Sequence, residues 1–157
     1  MASFHQLYYH IVIVVYKREK VFTIKNEEKL FDYMKELAAN KNSLIETINA
    51  AENHIHILLR LHPSIALADM VRELKVWSNR FIKEHKLFPK FKKWQTGYGA
   101  FSVSKSRRSI VSNYIKKQKE HHKVKSFETE FIETLIANEI SFNPLNPFGD
   151  GVGFPDG

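Results

Sequence analysis

The chain has no cysteine among its 157 residues. Disulfides, thiolate nucleophiles and cysteine-rich zinc sites are excluded by that absence, which also fits a reducing compartment. Long apolar runs are missing too. Ile11 to Val15 is the longest near the N-terminus, far short of the roughly 20 residues that span a bilayer. That region lacks a basic leader and a small-residue cleavage site, so a soluble cytoplasmic protein is expected. Glycine and proline are scarce, at 6 and 5 residues. Most of them fall between Asn143 and Gly157, which is expected to be a mobile tail or surface strap behind a single domain of residues 1–142. No internal repeat is present.

Acidic residues are short in one place only. Of 24 Lys and Arg and 17 Asp and Glu, eight bases and one glutamate lie between Lys105 and Lys125, which leaves sixteen of each sign elsewhere. The net charge of +7 is therefore local. A concentrated basic segment points to an anionic partner such as a nucleic acid, with a solvated helix face as the plainer alternative. Lys105, Arg107, Arg108, Lys116, Lys117 and Lys119 are the residues assigned to DNA phosphates on this ground.

The hydrophobic pattern supplies the fold. Leu7 to Tyr16 is β-branched and aromatic and reads as a strand buried on both faces. Residues 25–40 form a helix with Leu30, Phe31, Met34, Leu37 and Ala38 on one stripe. Leu44 to Ala51 and His54 to Leu61 make a hairpin across Glu52-Asn53. A second helix is expected over Leu67 to Glu84, with Leu67, Val71, Leu74, Trp77 and Phe81 inward. Gly99 to Val103 is a short fourth strand. Ser104 or Ser106 is positioned to cap a helix running to His121, and Ser126 one over residues 127–138. The order β-α-β-β-α-β followed by two helices predicts an α+β, ferredoxin-like fold with a four-stranded antiparallel sheet and the third strand near its middle.

Two short signals carry chemistry. His54 and His56 alternate with Ile55, so both imidazoles share one face of a strand, roughly 7 Å apart at Cα. Tyr114 and Gln118 are four apart and share a helix face. Each has an ordinary reading: surface histidines on a sheet, and a tyrosine within the apolar stripe Ile110, Val111, Tyr114, Ile115. Together they form a set able to hold Mg²⁺ or Mn²⁺ beside a phenol nucleophile and a phosphodiester. Trp94, Tyr98 and Phe101 are candidates for base stacking, although core packing is the commoner role of such residues. His121 and His122 read as a solvated helix end.

The segments YYHIVIVVYKRE, ENHIHILLRL, VRELKVWSNRFIKE, WQTGYGAFSVSKS and SNYIKKQKEHHKVKSFETEF, spanning residues 8–140, resemble the HUH-superfamily single-tyrosine transposases. These are the IS200-like family, which includes the REP-associated tyrosine transposases. The resemblance implies a DNA transposase that cleaves and rejoins single-stranded DNA at hairpin-marked ends. Tyr114 would be the nucleophile that forms a 5′-phosphotyrosine, with His54, His56 and Gln118 as ligands of a divalent metal. It also implies a homodimer, with the tyrosine helix reaching the histidines of the same or the other subunit. Relatives often have Asp before the first histidine. Asn53 stands there instead, which predicts looser orientation of His54. The alternatives are a domesticated relative that keeps the chemistry and a non-catalytic single-stranded nucleic-acid-binding module. A zinc hydrolase is disfavoured, since no third histidine or carboxylate ligand is evident from the sequence.

Overall fold

The computed structural model describes residues 1–121 and 123–148. The four strands β1 (Tyr8–Val14), β2 (Leu44–Ala50), β3 (His54–Arg60) and β4 (Gly99–Val103) form one antiparallel sheet in the order β2-β3-β1-β4. β3 is interior, as the sequence predicts. Alternation then sorts its residues: Ile55, Ile57 and Leu59 go to one face, and His54, His56 and Leu58 to the other.

The first face is an apolar layer. Helices α1 (Ile24–Ala39) and α2 (Leu67–Glu84) cover it. Leu30, Met34 and Ala38 of α1 and Met70, Val71, Leu74 and Ile82 of α2 pack on Ile11, Ile13, Ile55, Ile57 and Leu59. Each such aliphatic side chain taken out of water contributes about 1.5–3 kcal/mol. The α2 stripe differs from expectation in one respect. Trp77 turns outward and the Arg80 guanidinium lies 5.0 Å from its ring centre, while Ser78 takes the inward position. Ser78 Oγ accepts the indole N–H of Trp94 at 3.0 Å, which ties the loop before β4 to the helix.

Three helices cover the second face: α3 (Arg108–Lys116), α4 (Gln118–His121) and α5 (Phe127–Ala137). Ser126 caps α5 as expected, accepting the Thr129 amide at 3.2 Å. Neither Ser104 nor Ser106 caps α3 through its side chain. Their hydroxyls meet each other at 3.1 Å, and a 3₁₀ turn over Lys105–Arg107 leads into the helix. The helix expected to run to His121 is broken at Lys117. Asn49 of β2 causes a local interruption: its amide donates to the carbonyls of Ile115 and Lys116 at 3.0 and 3.1 Å. Thr47 and Ser112 add a 2.6 Å hydroxyl contact between β2 and α3.

A bulge in β2 between Ile45 and Thr47 brings Glu46 to the α3 side, where its carboxylate takes Arg108 at 2.6 Å. Gly99 lies against α5. A Cβ there would stand 3.0 Å from the Phe131 ring. Val12, Phe101, Phe127, Phe131 and Leu135 form the small core beneath α5, and Phe148 stacks on Phe131. Phe148 thus lies against α5 while Leu145 is exposed, and residues 149–157 of the expected tail fall outside the described residues. Among the described residues no helix is long and apolar enough to cross a membrane.

Candidate active site

Between the Phe127 cluster under α5 and a smaller one of Tyr8, Leu58 and Ile115 under α3 lies a polar patch. His54 and His56 occupy it, and both are buried. They are therefore not surface histidines, and each must be satisfied by design of its neighbours. Asn53 Oδ1 lies 2.7 Å from His54 Nδ1. The amide oxygen occupies the role expected of a carboxylate, so the Asn found before the first histidine still orients the ring. On the far side, His54 Nε2 lies 3.4 Å from Gln118 Oε1.

Tyr114 and Gln118 both reach this patch despite the break between their helices. The Tyr114 ring centre is 5.8 Å from that of His56, edge on. Its hydroxyl donates to Glu130 Oε1, and Gln118 Nε2 reaches the same oxygen at 3.3 Å. His56 Nε2 is 3.2 Å from that oxygen as well. One carboxylate on α5 thereby joins three of the four residues singled out from the sequence, Tyr114, Gln118 and His56. Tyr114, half-buried, faces a cleft of about 660 Å³ lined also by His10, Arg107, His121, Lys125 and Glu130.

Two members of this cluster went unnoticed in the sequence. The absence of a third histidine and of a carboxylate is corrected by the structure: His10 Nε2 lies 2.7 Å from His56 Nδ1, and Glu130 stands within the site. Each left a faint signal. His10 has the parity of Tyr8 and Val12 on β1, facing the His56 side. Glu130 falls beside the buried stripe Phe127, Phe131, Leu135, where an acid is out of place unless paired.

The electrostatics follow from burial. Desolvation, with His56 nearby, lowers His10 to about 3, so it is neutral at physiological pH. Burial pushes the Glu130 carboxyl up, but the adjacent His56 imidazole, then Tyr114 and His54, outweigh it and lower it to about 2. Tyr114 is raised above the ordinary phenol range, by burial first and by its hydrogen bond to Glu130 second. The phenol stays protonated in this arrangement.

The donor set fits a divalent cation. Ligand atoms of His54, His56 and Glu130 lie within 4.8 Å of one another. His56 Nε2 and Glu130 Oε2 are buried with no hydrogen-bond partner, an arrangement that costs free energy without a further group. Mixed imidazole and carboxylate donors, with room for phosphate oxygens, suit Mn²⁺ or Mg²⁺.

The basic residues divide into two groups. Lys105, Arg107, Lys116 and Lys117 are exposed. Arg108 is engaged by Glu46, and Lys119 Nζ by Glu27 at 2.9 Å, Asn49 Oδ1 at 2.7 Å and the Ala50 carbonyl at 3.2 Å. Those two hold α3 and α4 onto the sheet. Trp94 and Phe101 are buried core residues, whereas Tyr98 is half-buried. His121 stacks on Tyr114 at 4.9 Å, and His122 lies outside the described residues.

The chain is similar to several known proteins. The chain is 28% identical over 121 residues to the ISDra2 transposase TnpA of Deinococcus radiodurans, covering 73% of this chain and 85% of the relative. It is 29% identical over 121 residues to the IS200 transposase of Salmonella typhimurium, covering 74% and 79%. Among solved structures, a transposase from Deinococcus radiodurans R1 has a TM-score of 0.59 at 22% identity, covering 76% of this chain and 95% of that one. A REP-associated tyrosine transposase bound to a REP hairpin has a TM-score of 0.55 at 13% identity, covering 100% and 97%. These two share the fold. The family described as IS200-like transposases matches residues 3–118, which include both histidines, Tyr114 and Gln118, and the chain belongs to that family.

Proposed function

We propose that this transposase cleaves and rejoins single-stranded DNA at hairpin-marked ends through a 5′-phosphotyrosine on Tyr114. The observation that carries the reading is the convergence of Tyr114, Gln118 and Glu130 on the His54–His56 pair within one chain. His54, His56, Glu130 and Gln118 would hold a divalent cation, Mg²⁺ or Mn²⁺. Such an ion supplies positive charge that neutralises phosphate oxygens and eases ionisation of the phenol.

The residues of the chain do the rest. Glu130 and the adjoining His121 ring hold the phenol at the floor of the cleft, so the attacking oxygen is positioned before DNA arrives. Tyr114 Oη forms the bond to phosphorus as the bond from phosphorus to the 3′ oxygen breaks. The phenolic proton leaves along the hydrogen bond to Glu130 and is matched by one gained at the departing 3′ oxygen. The product keeps a phosphodiester on tyrosine, so a 3′-hydroxyl can later displace Tyr114 and rejoin the strand without a nucleotide cofactor. Lys105, Arg107, Lys116 and Lys117 are exposed around the tyrosine helix and are suited to the DNA backbone. Because the tyrosine helix meets the histidines in cis, a homodimer would bring two complete sites rather than complete one. The cytoplasm is the location we assign.

The test uses purified protein, Mn²⁺ or Mg²⁺, and single-stranded oligonucleotides copied from the hairpin-bearing sequences flanking its gene. Wild type is expected to give a covalent protein–DNA adduct on a denaturing gel. EDTA abolishes it, and Tyr114→Phe lowers it by at least about a thousandfold while keeping the ring that packs there. Equal adduct from Tyr114→Phe and wild type would overturn the assignment.

A further inference from the structure

We propose that His10 is the positioning residue for His56: its Nε2 accepts the His56 Nδ1 proton and so presents the His56 Nε2 lone pair to the cation. The inference rests on the metal-site reading above and adds a residue to it. Register places His10 of β1 on the same face as His56 of β3, one step off the paired Val12. The two nitrogens are 2.7 Å apart, and the rings stack at 5.0 Å with 28° between their planes. A contact that short between two ring nitrogens needs one proton between them.

The other end of His56 decides which ring supplies it. His56 Nε2 lies 3.2 Å from Glu130 Oε1, yet no N–H on that nitrogen would point along a hydrogen bond to it. A proton on Nε2 would therefore be buried and unpaired. A proton on Nδ1 is paired by His10 and leaves Nε2 free as a donor. The arrangement parallels that of His54, whose Nδ1 lies 2.7 Å from Asn53 Oδ1. Both imidazoles are gripped at Nδ1, and on the other side His54 Nε2 lies 3.4 Å from Gln118 Oε1 while His56 Nε2 lies 3.2 Å from Glu130 Oε1. Metal-binding histidines are commonly fixed in this way by a partner on the second nitrogen. Both partners here are uncharged acceptors, so Glu130 is the sole carboxylate in the cluster among the described residues. With His10 Nε2 accepting from His56, its Nδ1 carries the ring proton, so His10 is no ligand itself.

The experiment reads the metal-free protein first. In ¹⁵N-labelled wild type, long-range proton–nitrogen correlations are expected to show His56 protonated at Nδ1. His10→Gln, whose side-chain oxygen reaches the position of the imidazole Nε2, keeps that tautomer. His10→Leu, which fills the space with no acceptor, shifts it to Nε2–H. Mn²⁺ affinity, measured by calorimetry without DNA, falls roughly ten- to hundredfold in His10→Leu and stays within about threefold in His10→Gln. Nε2–H on His56 in the wild type overturns the proposal, and that spectrum needs no variant to fold. Equal Mn²⁺ affinity in all three proteins, or an equal loss in both variants, overturns it as well. None of these readouts involves cleavage, so they stand apart from the Tyr114→Phe adduct test.

Discussion

The two faces of the sheet are built from alternate residues of the same strands and could hardly differ more. On one side Ile55, Ile57 and Leu59 lie under α1 and α2 in a layer of aliphatic and aromatic side chains. On the other, His54 and His56 are equally buried but are met by Asn53, His10, Gln118, Tyr114 and Glu130. Burial drives both faces inward, yet only the first gains from it directly. On the second, each polar group must recover in hydrogen bonds what it loses from water. Two atoms, His56 Nε2 and Glu130 Oε2, do not. On the α1/α2 side one buried atom, Asn79 Oδ1, is likewise unpartnered, but it stands alone, whereas the two on the histidine face belong to one cluster of possible metal ligands, an arrangement suited to a ligand at some cost in stability.

Substitutions that act on one face and spare the other would sharpen this contrast. The largest effect on stability is expected from Leu74→Ala, in the middle of α2 on the apolar layer. It should cost about 2–5 kcal/mol in denaturant unfolding and leave the Mn²⁺ affinity of the folded protein unchanged. A matching loss of affinity would show that the two faces are coupled. A smaller effect separates the two groups of basic residues. Lys119→Gln removes contacts to Glu27, Asn49 and Ala50 and should lower stability by roughly 1 kcal/mol. Lys117→Gln should leave stability within about 0.5 kcal/mol and reduce the salt slope of single-stranded DNA binding by about 0.7. The same behaviour from both lysines would erase the distinction.

Much of this was legible in the chain. The strand alternation and the helix stripes sufficed for the order of elements along the chain, and the fold class it implies placed β3 inside the sheet, because those signals are local and repeat every two or four residues. The histidine pair, Tyr114 and Gln118 were legible because each lies within a short window. His10 and Glu130 were not, since they meet His56 from 46 and 74 residues away and only the fold brings them together. The break at Lys117 was hidden for the same reason: an asparagine on β2 imposes it. Arg108 and Lys119 read as DNA contacts by charge alone, and it took Glu46 and Glu27 on distant elements to show what holds them. Trp77 fits the apolar period of α2, but that stripe is already filled by Leu74 and Ser78.

The central claim is that residues from β3, α4 and α5 close on a single cation beside the Tyr114 hydroxyl. A crystal of the protein soaked in Mn²⁺, with data collected at the manganese absorption edge, tests it most directly. The expected result is one anomalous peak at bonding distance from His54 Nε2, His56 Nε2 and a Glu130 oxygen, with Gln118 alongside. A manganese peak bound elsewhere while these side chains keep their present contacts would contradict the account.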